Sequence, residues 1–384
     1  MNIATNPRVV YPHILDDLSA IRILDGRNML GLTEQFPIQC EEALDIATRF
    51  AQTLPDRRKP KNIVVTGLGG SAIGGDLVRV LVDLGGDVPL IVNRDYDLPG
   101  FVGPDTLVIA SSYSGNTEET LTAYAQARQR GSRLICVTSG GKLAQRARED
   151  GVPCCLVPDS RPPRASTGYL FIPTLTIVAT YATLGPCCTP AAVEEAIPLL
   201  EDCSRRWRRE VPLAENPAKQ LAVALYGRIP IIYGGQGYPA VLALRWKGQF
   251  NENAKVHAFA NALPEQNHNE ILGWEQALQQ SQVWSVVYLR DPEEETAAPR
   301  MARRVEILRT VIGNKAEQHE VRAEGTTVLQ RMLSMLYFGD FVSVYLALLV
   351  GVDPTEIAGI DLLKAELARM DETGSRGTGA GRVS

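Results

Sequence analysis

The feature that most constrains the fold is a strand, a glycine-rich turn and a helix that follow one another directly. The strand is predicted at Asn62–Thr66, the turn at Gly67–Ser71 and the helix from about Ala72 to Leu84. The same order returns between Ile229 and Phe250, where the turn is Gly234–Gly237. The two stretches share this topology without clear sequence repetition, so the chain is predicted to contain two similar α/β units.

Other apolar and amphipathic stretches extend this pattern. Further strands are predicted at Pro89–Asn93, Thr106–Ser111, Leu134–Thr138 and Val283–Leu289, and further helices at Ile14–Leu24, Cys40–Thr53, Thr117–Arg130, Leu143–Asp150, Arg300–Val311, Thr327–Leu349 and Ile360–Met370. Strands that alternate with helices at this spacing predict an α/β fold in which parallel sheets carry helices on both faces.

A length of 384 residues suggests two or three domains. The predicted boundaries are an N-terminal helical extension at 1–55, a first α/β domain at 56–187, a helical connector at 188–211, a second α/β domain at 212–350, a C-terminal helix at 351–370 and a tail at 371–384. The tail is rich in Gly, Ser, Thr and Arg with little to bury, so we expect it to be disordered.

Composition excludes several classes of protein. The net charge of −5 argues against a general nucleic-acid binder, which usually has a basic surplus. Seven cysteines without a CxxC pattern predict no zinc site and fit a reducing cytoplasm. The N-terminus has no apolar core typical of a signal peptide. The uncharged stretch Ala165–Ala192 contains three prolines and several threonines, so we expect a buried or interface helix there and no membrane span.

The first glycine turn has two interpretations. Gly67-Leu68-Gly69-Gly70-Ser71-Ala72 fits the GxGxxA fingerprint of nicotinamide cofactors, and Asn93-Arg94-Asp95 lies near the position of the ribose-binding residue. A second turn, Ser111–Thr120, favours a different ligand. It places several hydroxyls and unpaired N–H groups at a predicted helix N-terminus, which suits one phosphate monoester. The alternative is that Ser114 and Thr117 only cap the helix.

These turns resemble the sugar isomerase (SIS) domain. The similarity rests on GGSAIGGD at Gly69–Asp76 and SYSGNTEET at Ser112–Thr120. It implies a flavodoxin-like fold in which the hydroxyl-rich turn holds the phosphate of a sugar. The positions that match the phosphate-binding residues are Gly70, Ser71, Ser112, Ser114 and Thr117.

A second polar stretch carries candidates for catalysis. It contains NENAK at Asn251–Lys255 and PEQNHNE at Pro264–Glu270, and His268 is one of only four histidines in the chain. The composition alone leaves a solvated loop as an equal alternative. A carboxylate such as Glu252 could move a carbon-bound proton, and a histidine could open a sugar ring.

Together with Pro162-Pro163-Arg164, these motifs resemble the bifunctional phosphoglucose/phosphomannose isomerase family over nearly the whole chain. The resemblance implies that Glu252 is the base, that Arg164 stabilises an enediolate, and that Lys364 assists at the ring oxygen and the C1 hydroxyl. It also implies that His268 opens the ring from the partner subunit of a homodimer. Thr355 is the candidate for tolerance at C2.

The predicted function is the interconversion of glucose 6-phosphate, and of mannose 6-phosphate, with fructose 6-phosphate through a cis-enediolate. The resemblance implies no metal, no nicotinamide and no other cofactor, and no nucleic-acid or membrane partner. Three alternatives remain at this point: a phosphosugar sensor without catalysis, a dinucleotide-dependent oxidoreductase, and a related SIS enzyme that acts on amino sugars or ketose-isomer phosphates.

Overall fold

The computed structural model describes residues 12–55 and 57–377. The N-terminal segment is helical: a 3-10 turn at Pro12–Asp16 precedes α1 (Leu18–Leu24), α2 (Met29–Glu34) and α3 (Phe36–Gln52). Asp17 caps α1, because its carboxylate accepts the N–H groups of Ser19 and Ala20. The helical extension expected at the N-terminus is therefore present over its described part, and α3 packs on the first α/β unit.

Five parallel strands form the first sheet, in the order β2-β1-β3-β4-β5. They are β1 (Asn62–Thr66), β2 (Leu90–Asn93), β3 (Thr106–Ser111), β4 (Arg133–Thr138) and β5 (Cys154–Leu156). This is the flavodoxin-like order, which reverses between β1 and β3 and creates a crevice at their carboxyl ends. Helices α4 (Gly69–Asp83), α5 (Glu118–Gln129), α6 (Gly141–Glu149) and α7 (Thr167–Tyr181) cover it.

Four parallel strands form the second sheet, in the order β7-β6-β8-β9. They are β6 (Ile229–Gly235), β7 (Phe259–Leu263), β8 (Trp284–Arg290) and β9 (Glu317–Arg322). Relative to its own first strand, this sheet repeats the order of the first sheet without the fifth strand. Two α/β units of flavodoxin-like topology are thus confirmed.

The remaining helices connect and surround the second sheet. They are α8 (Pro190–Trp207), α9 (Pro217–Leu225), α10 (Tyr238–Gln249), α11 (Glu270–Gly273), α12 (Glu294–Ala297), α13 (Pro299–Ile312), α14 (Val328–Val350) and α15 (Ala358–Gly377), with 3-10 turns at Pro163–Ala165, Pro186–Cys188, Glu265–His268 and Ala277–Gln280 and a π-helix at Phe250–Ala254.

Two apolar helices form the centre of the molecule. Almost every residue of α7 is buried, including Pro173, and this helix lies in the stretch that was expected to be a buried helix. The helix α14 is long and apolar enough to cross a membrane, but 83% of its most apolar window is buried inside the protein. Both helices belong to one hydrophobic core that joins the two units. Their apolar character is explained by burial on all sides.

The C-terminus differs from the prediction. The helix expected at Ile360–Met370 extends over Ala358–Gly377, so it includes the first half of the segment expected to be disordered. Helix-forming Ala, Glu, Arg and Met residues continue past position 364 and favour this extension. Residues 378–384 lie outside the described residues.

Candidate active site

A cavity of about 220 Å³ lies where the two units meet. Its walls include Gly69 and Gly70 from the first glycine turn, Arg164 from the turn before α7, and Glu252 from the π-helix after α10. The structure therefore brings together three predicted site residues that lie far apart in the chain. This is the position where open α/β sheets bind ligands, outside the carboxyl ends of their strands.

The glycine turn leads directly into the N-terminus of α4. Gly69 has φ of +52°, a conformation that glycine adopts without a Cβ penalty. A Cβ on Gly67 would lie 2.6 Å from the carbonyl oxygen of Ser111, so the two turns approach each other closely. Leu68 precedes α4 and supplies no side-chain cap, and its carbonyl accepts the N–H groups of Ser71 and Ala72. The N–H groups of Gly69 and Gly70 are left available for an anion.

The hydroxyl residues of the second turn contact one another and the first turn. The hydroxyls of Ser112 and Thr117 lie 2.8 Å apart, and the N–H of Tyr113 donates to Ser71 Oγ over 3.3 Å. Thr117 makes no capping hydrogen bond to α5, so a capping role does not account for its side chain. Ser114 is exposed, and its Oγ accepts the N–H of Asn116. The structure thus brings Ser71, Ser112 and Thr117 together where the two turns meet, next in sequence to Gly70 of the cavity wall.

Glu252 lies in the π-helix that continues α10. The five residues Phe250–Ala254 form this π-helix, and Lys255 ends it in the left-handed conformation with φ of 55°. A π-helix replaces the regular hydrogen bonds of an α-helix with bonds between residues five positions apart. Such helices are rare and occur frequently at functional sites. Here the wider turn buries Phe250 and Asn253 while the side chain of Glu252 remains 35% exposed towards the cavity.

Arg164 is a buried cation whose guanidinium is held on several sides. Its side chain is 4% exposed and lies 3.5 Å from the carboxylate of Glu252, measured from Nη1 to Oε2. Nε donates to Asn253 Oδ1 over 2.6 Å, and Nη2 donates to the carbonyls of Pro354 and Thr355 over 2.6 and 3.0 Å. Burial lowers the pKa of Arg164, and the charge of Glu252 opposes that shift. The group remains a fixed positive charge beside Glu252.

The segment around Thr355 lies against this arginine. Besides the two carbonyls that Arg164 contacts, Lys255 donates from Nζ to the carbonyl of Asp353 over 2.6 Å. Burial, followed by the charge of Arg164, lowers the pKa of Lys255. The hydroxyl of Thr355 is buried without a hydrogen-bond partner among the described residues. Thr355 is therefore close to the site through its backbone, and its hydroxyl is available.

Two predicted residues lie elsewhere on the chain. His268 is exposed on the 3-10 turn that follows β7, and it does not line the cavity that contains Glu252. Lys364 is exposed on α15, next to the exposed Leu362 and Leu363, and it also does not line the cavity. Within a single chain, the structure does not bring His268 and Lys364 to Glu252.

The cavity also contains residues that the sequence did not identify as site residues. Arg94, which was considered only as part of a ribose-binding position, lines it and forms an ion pair with the carboxylate of Asp76. Lys247 lines it as well, one turn before the π-helix. Asn253 does not line this cavity, but its amide oxygen accepts the Nε–H of Arg164, and the NENAK motif alone indicated no role for it. The position of Arg94 in the sequence did not indicate that it would line this cavity, because its place there depends on the packing of α4 against α10.

The described residues provide no metal centre. In residues 12–55 and 57–377, no group of three or more His, Cys, Asp or Glu side chains is placed to hold a metal ion. The seven cysteines are all free thiols, and most of them are buried.

Two family models match the chain. The SIS domain matches residues 58–159, and the bacterial phospho-glucose isomerase C-terminal SIS domain matches residues 214–367. The first range contains both phosphate-type turns, and the second contains Glu252, His268 and Lys364. Both α/β units are therefore of SIS type.

Relatives match over most of the length. A bifunctional phosphoglucose/phosphomannose isomerase of Caldicellulosiruptor bescii is 42% identical over 88% of this chain and 98% of the relative. An enzyme of the same description from Thermoplasma volcanium is 34% identical over 81% of this chain and 92% of the relative. Among solved structures, a hypothetical protein of Thermus thermophilus has a TM-score of 0.72 at 16% identity, covers 95% and 96% of the two chains, and supports the fold alone. The sugar-isomerase class predicted from the motifs is confirmed, and the chain belongs to the bifunctional phosphoglucose/phosphomannose isomerase family.

Proposed function

We propose that the chain interconverts glucose 6-phosphate and mannose 6-phosphate with fructose 6-phosphate through a cis-enediolate. The observation that carries this proposal is one cavity lined by a glycine turn at a helix N-terminus, a buried arginine and a carboxylate. The glycine turn suits a phosphate, and the pair Arg164–Glu252 suits proton transfer next to a carbonyl. Substrates of this class are sugar phosphates, which agrees with the names of the relatives.

The chemistry assigns the two charged groups different tasks. Glu252 removes the proton from C2 of the open-chain aldose and returns it to C1. Negative charge then develops on the oxygens of the enediolate, and the fixed cation of Arg164 stabilises it. Because the guanidinium is already desolvated and held by Asn253 and two carbonyls, little reorganisation is needed when the charge appears.

The phosphate end is assigned to the two turns of the first unit. The unpaired N–H group of Gly70 and the hydroxyls of Ser71, Ser112, Ser114 and Thr117 surround the place for the phosphate. Binding energy from this distant group positions C1 and C2 against Glu252. We assign Thr355 to the sugar end, where its unpartnered hydroxyl accommodates either configuration at C2.

We assign ring opening to His268, supplied by the partner subunit of a homodimer, and assistance at the ring oxygen and C1 hydroxyl to Lys364. Both side chains are exposed and neither lines the cavity of its own chain. Their placement supports a site that is completed across a subunit boundary. The substrate arrives mainly as a closed ring, so a site without an acid–base group for ring opening would be incomplete.

The replacement Glu252→Gln tests the assignment of the base. We expect kcat for glucose 6-phosphate and mannose 6-phosphate to fall by about 10²–10⁴, because the amide cannot accept the proton. The matched control is Glu356→Gln, which changes an exposed carboxylate paired with Arg27 and should leave kcat unchanged. Activity of Glu252→Gln within about tenfold of the original would contradict the assignment. Fructose 6-phosphate binding without turnover in the unmodified protein would instead indicate a sensor.

A mixing experiment tests the shared site. Glu252→Gln and His268→Ala proteins are each expected to be inactive, whereas a mixture whose subunits have exchanged should recover part of the activity. Recovery arises because mixed dimers contain one site with both native residues. Absence of recovery after exchange has been verified by mass spectrometry would show that His268 does not act across the boundary.

A further inference from the structure

Two polar residues interrupt the apolar helix α14 where it faces the candidate active site. Asp340 and Ser343 lie one turn apart, and their relative exposures are 9% and 0%. Their neighbours on the helix are large apolar and aromatic side chains of the core. A buried polar pair on such a helix costs free energy unless its hydrogen bonds are satisfied, so its partners indicate its purpose.

The partners of Ser343 fix the orientation of one amide. The Ser343 hydroxyl donates to the carbonyl of Asp340 over 2.7 Å, so its oxygen is left as an acceptor. Asn253 Nδ2 donates to that oxygen over 2.8 Å. The amide oxygen of Asn253 consequently faces the other way, towards Arg164 Nε at 2.6 Å. Since Nε–H can only donate, this is the orientation in which Arg164 is satisfied.

Asp340 holds the backbone of Arg164 in place through Arg245. Its carboxylate accepts two contacts from Arg245 Nη2, at 2.9 and 2.7 Å, and one from Gln249 Nε2 at 2.7 Å. Arg245 Nη2 also donates to the backbone carbonyl of Arg164 over 3.2 Å. Both the main chain and the guanidinium of Arg164 are therefore tied to α14 through one intermediate residue each.

We propose that Ser343 and Asp340 are positioning residues for the reaction: they hold Arg164 so that its Nη1 faces Glu252 and the developing enediolate. This inference rests on the proposed function, in which Arg164 stabilises that charge. Ser343 acts through Asn253 on the guanidinium, and Asp340 acts through Arg245 on the backbone. Neither residue lines the cavity with Gly70 and Glu252.

Ser343→Ala is the most direct test, because it removes one hydroxyl without adding volume. Without that acceptor, the amide of Asn253 is no longer held with its oxygen towards Arg164. We expect kcat for glucose 6-phosphate to fall about tenfold while KM changes less than threefold, since Arg164 acts on the transition state and the phosphate turns are untouched.

Ser334→Ala is the matched control. Ser334 is also buried on α14, and its hydroxyl contacts the backbone of Glu324 and Arg331, away from the cavity. This variant should lose a comparable amount of stability in urea unfolding and keep its kcat. A purely structural role for Ser343 would make the two variants alike in both measurements, which would overturn the inference.

A double-mutant cycle with Asn253→Ala separates positioning from general damage. In the Asn253→Ala background, Ser343→Ala should change kcat by less than twofold. In the same background the control Ser334→Ala should lower the free energy of unfolding by its own amount and leave kcat unchanged. Independent, multiplying losses for Ser343 and Asn253 would contradict the inference while leaving the isomerase function intact. If the unmodified protein turns over neither substrate, the proposed function fails first, and this inference fails with it.

Discussion

The two α/β units place very different residues at the same point of the same topology. After β1 the chain runs through small residues, and the first turn of α4 is open to the cavity. After β6 the equivalent turn is filled by the side chain of Tyr238, which is buried and whose hydroxyl donates to Asp291 over 2.6 Å. One turn is open for an anion, and the other is part of the core.

The turns after the neighbouring strands, β3 and β8, show the same difference in their suitability for binding an anion. After β3 the chain carries neutral hydroxyls such as Ser112 and Thr117. After β8 it carries Asp291 and Glu294, which pair with the buried Arg331 and Arg290. A pair of carboxylates already neutralised by arginines leaves no net attraction for a phosphate. The comparison teaches that the topology provides the crevice, whereas the residues of two short turns decide whether it can hold an anion.

Replacing one buried arginine in each unit should give the largest contrast. Arg164→Lys removes the fork that reaches Asn253 and two carbonyls together, and we expect kcat to fall by about 10²–10³. Arg290→Lys disrupts a buried cluster with Glu294, Glu306 and Glu320, so it should lower the melting temperature and keep kcat within threefold. Steady-state kinetics and thermal unfolding of both variants test this. Equal kinetic losses would remove the contrast.

Removing the paired hydroxyls of the first unit should weaken phosphate binding. For Ser112→Ala combined with Thr117→Val we expect kcat/KM to fall by about 10–100-fold, mostly through KM, because hydrogen bonds to a charged group contribute about 1.5–3 kcal/mol. Inhibition by inorganic phosphate should weaken in parallel. The control is Thr296→Ala, an exposed hydroxyl after β8 that contacts the Glu293 carbonyl. A KM that does not change would refute the phosphate assignment.

Tyr238→Phe should affect stability alone. The replacement deletes the hydroxyl that donates to Asp291 in the second unit, and the free energy of unfolding should fall by about 1.5 kcal/mol. Both kcat and KM should stay within twofold, since this turn is assigned no ligand. Urea unfolding and steady-state assays measure the two effects. An increase in KM of tenfold would show that the second turn also binds substrate.

The smallest effect concerns an exposed carboxylate at the edge of the first unit. The Lys59 ammonium, and next the N–H of Thr183, lower the pKa of Asp87 to about 2. The stabilisation is therefore present above the unfolded pKa of about 3.9 and lost as the pH falls through 2. Asp87→Asn should lower the melting temperature slightly at pH 6, and the difference from the unmodified protein should shrink between pH 4 and 2. A difference that grows as the pH falls would have the wrong sign.

Central strands were predicted well, and three of the four edge strands were missed. The predictions for β1 and β3 agree with the structure at both ends, because these strands are almost continuously apolar and lie between two neighbours. The missed strands β5, β7 and β9 are all at sheet edges. The strand β9, with the sequence EQHEVR, is polar and mostly half-buried. Edge strands often carry charges that discourage pairing with other chains, so their sequences lack the apolar run that identifies a strand.

The site was predicted in parts. Small residues before a helix indicated the phosphate turns because local chemistry determines both the turn and the unpaired N–H groups. The role of Asn253 could not be deduced in this way, since it contacts an arginine 89 positions earlier and a serine 90 positions later. Likewise, Arg164 was identified through a family resemblance. The residues around it in the sequence indicated only a positively charged side chain on a loop.

The sequence by itself determined the two strand–turn–helix units, their parallel sheets and the hydroxyl-rich turns, because these follow from periodicity and from backbone preferences within a few residues. Only the tertiary structure decided which turn is open, which charges share the cavity and how Arg164 is held. Those properties depend on contacts between segments as distant as Arg164 and Pro354, whose meeting results from burying α7, α10 and α14 in one core.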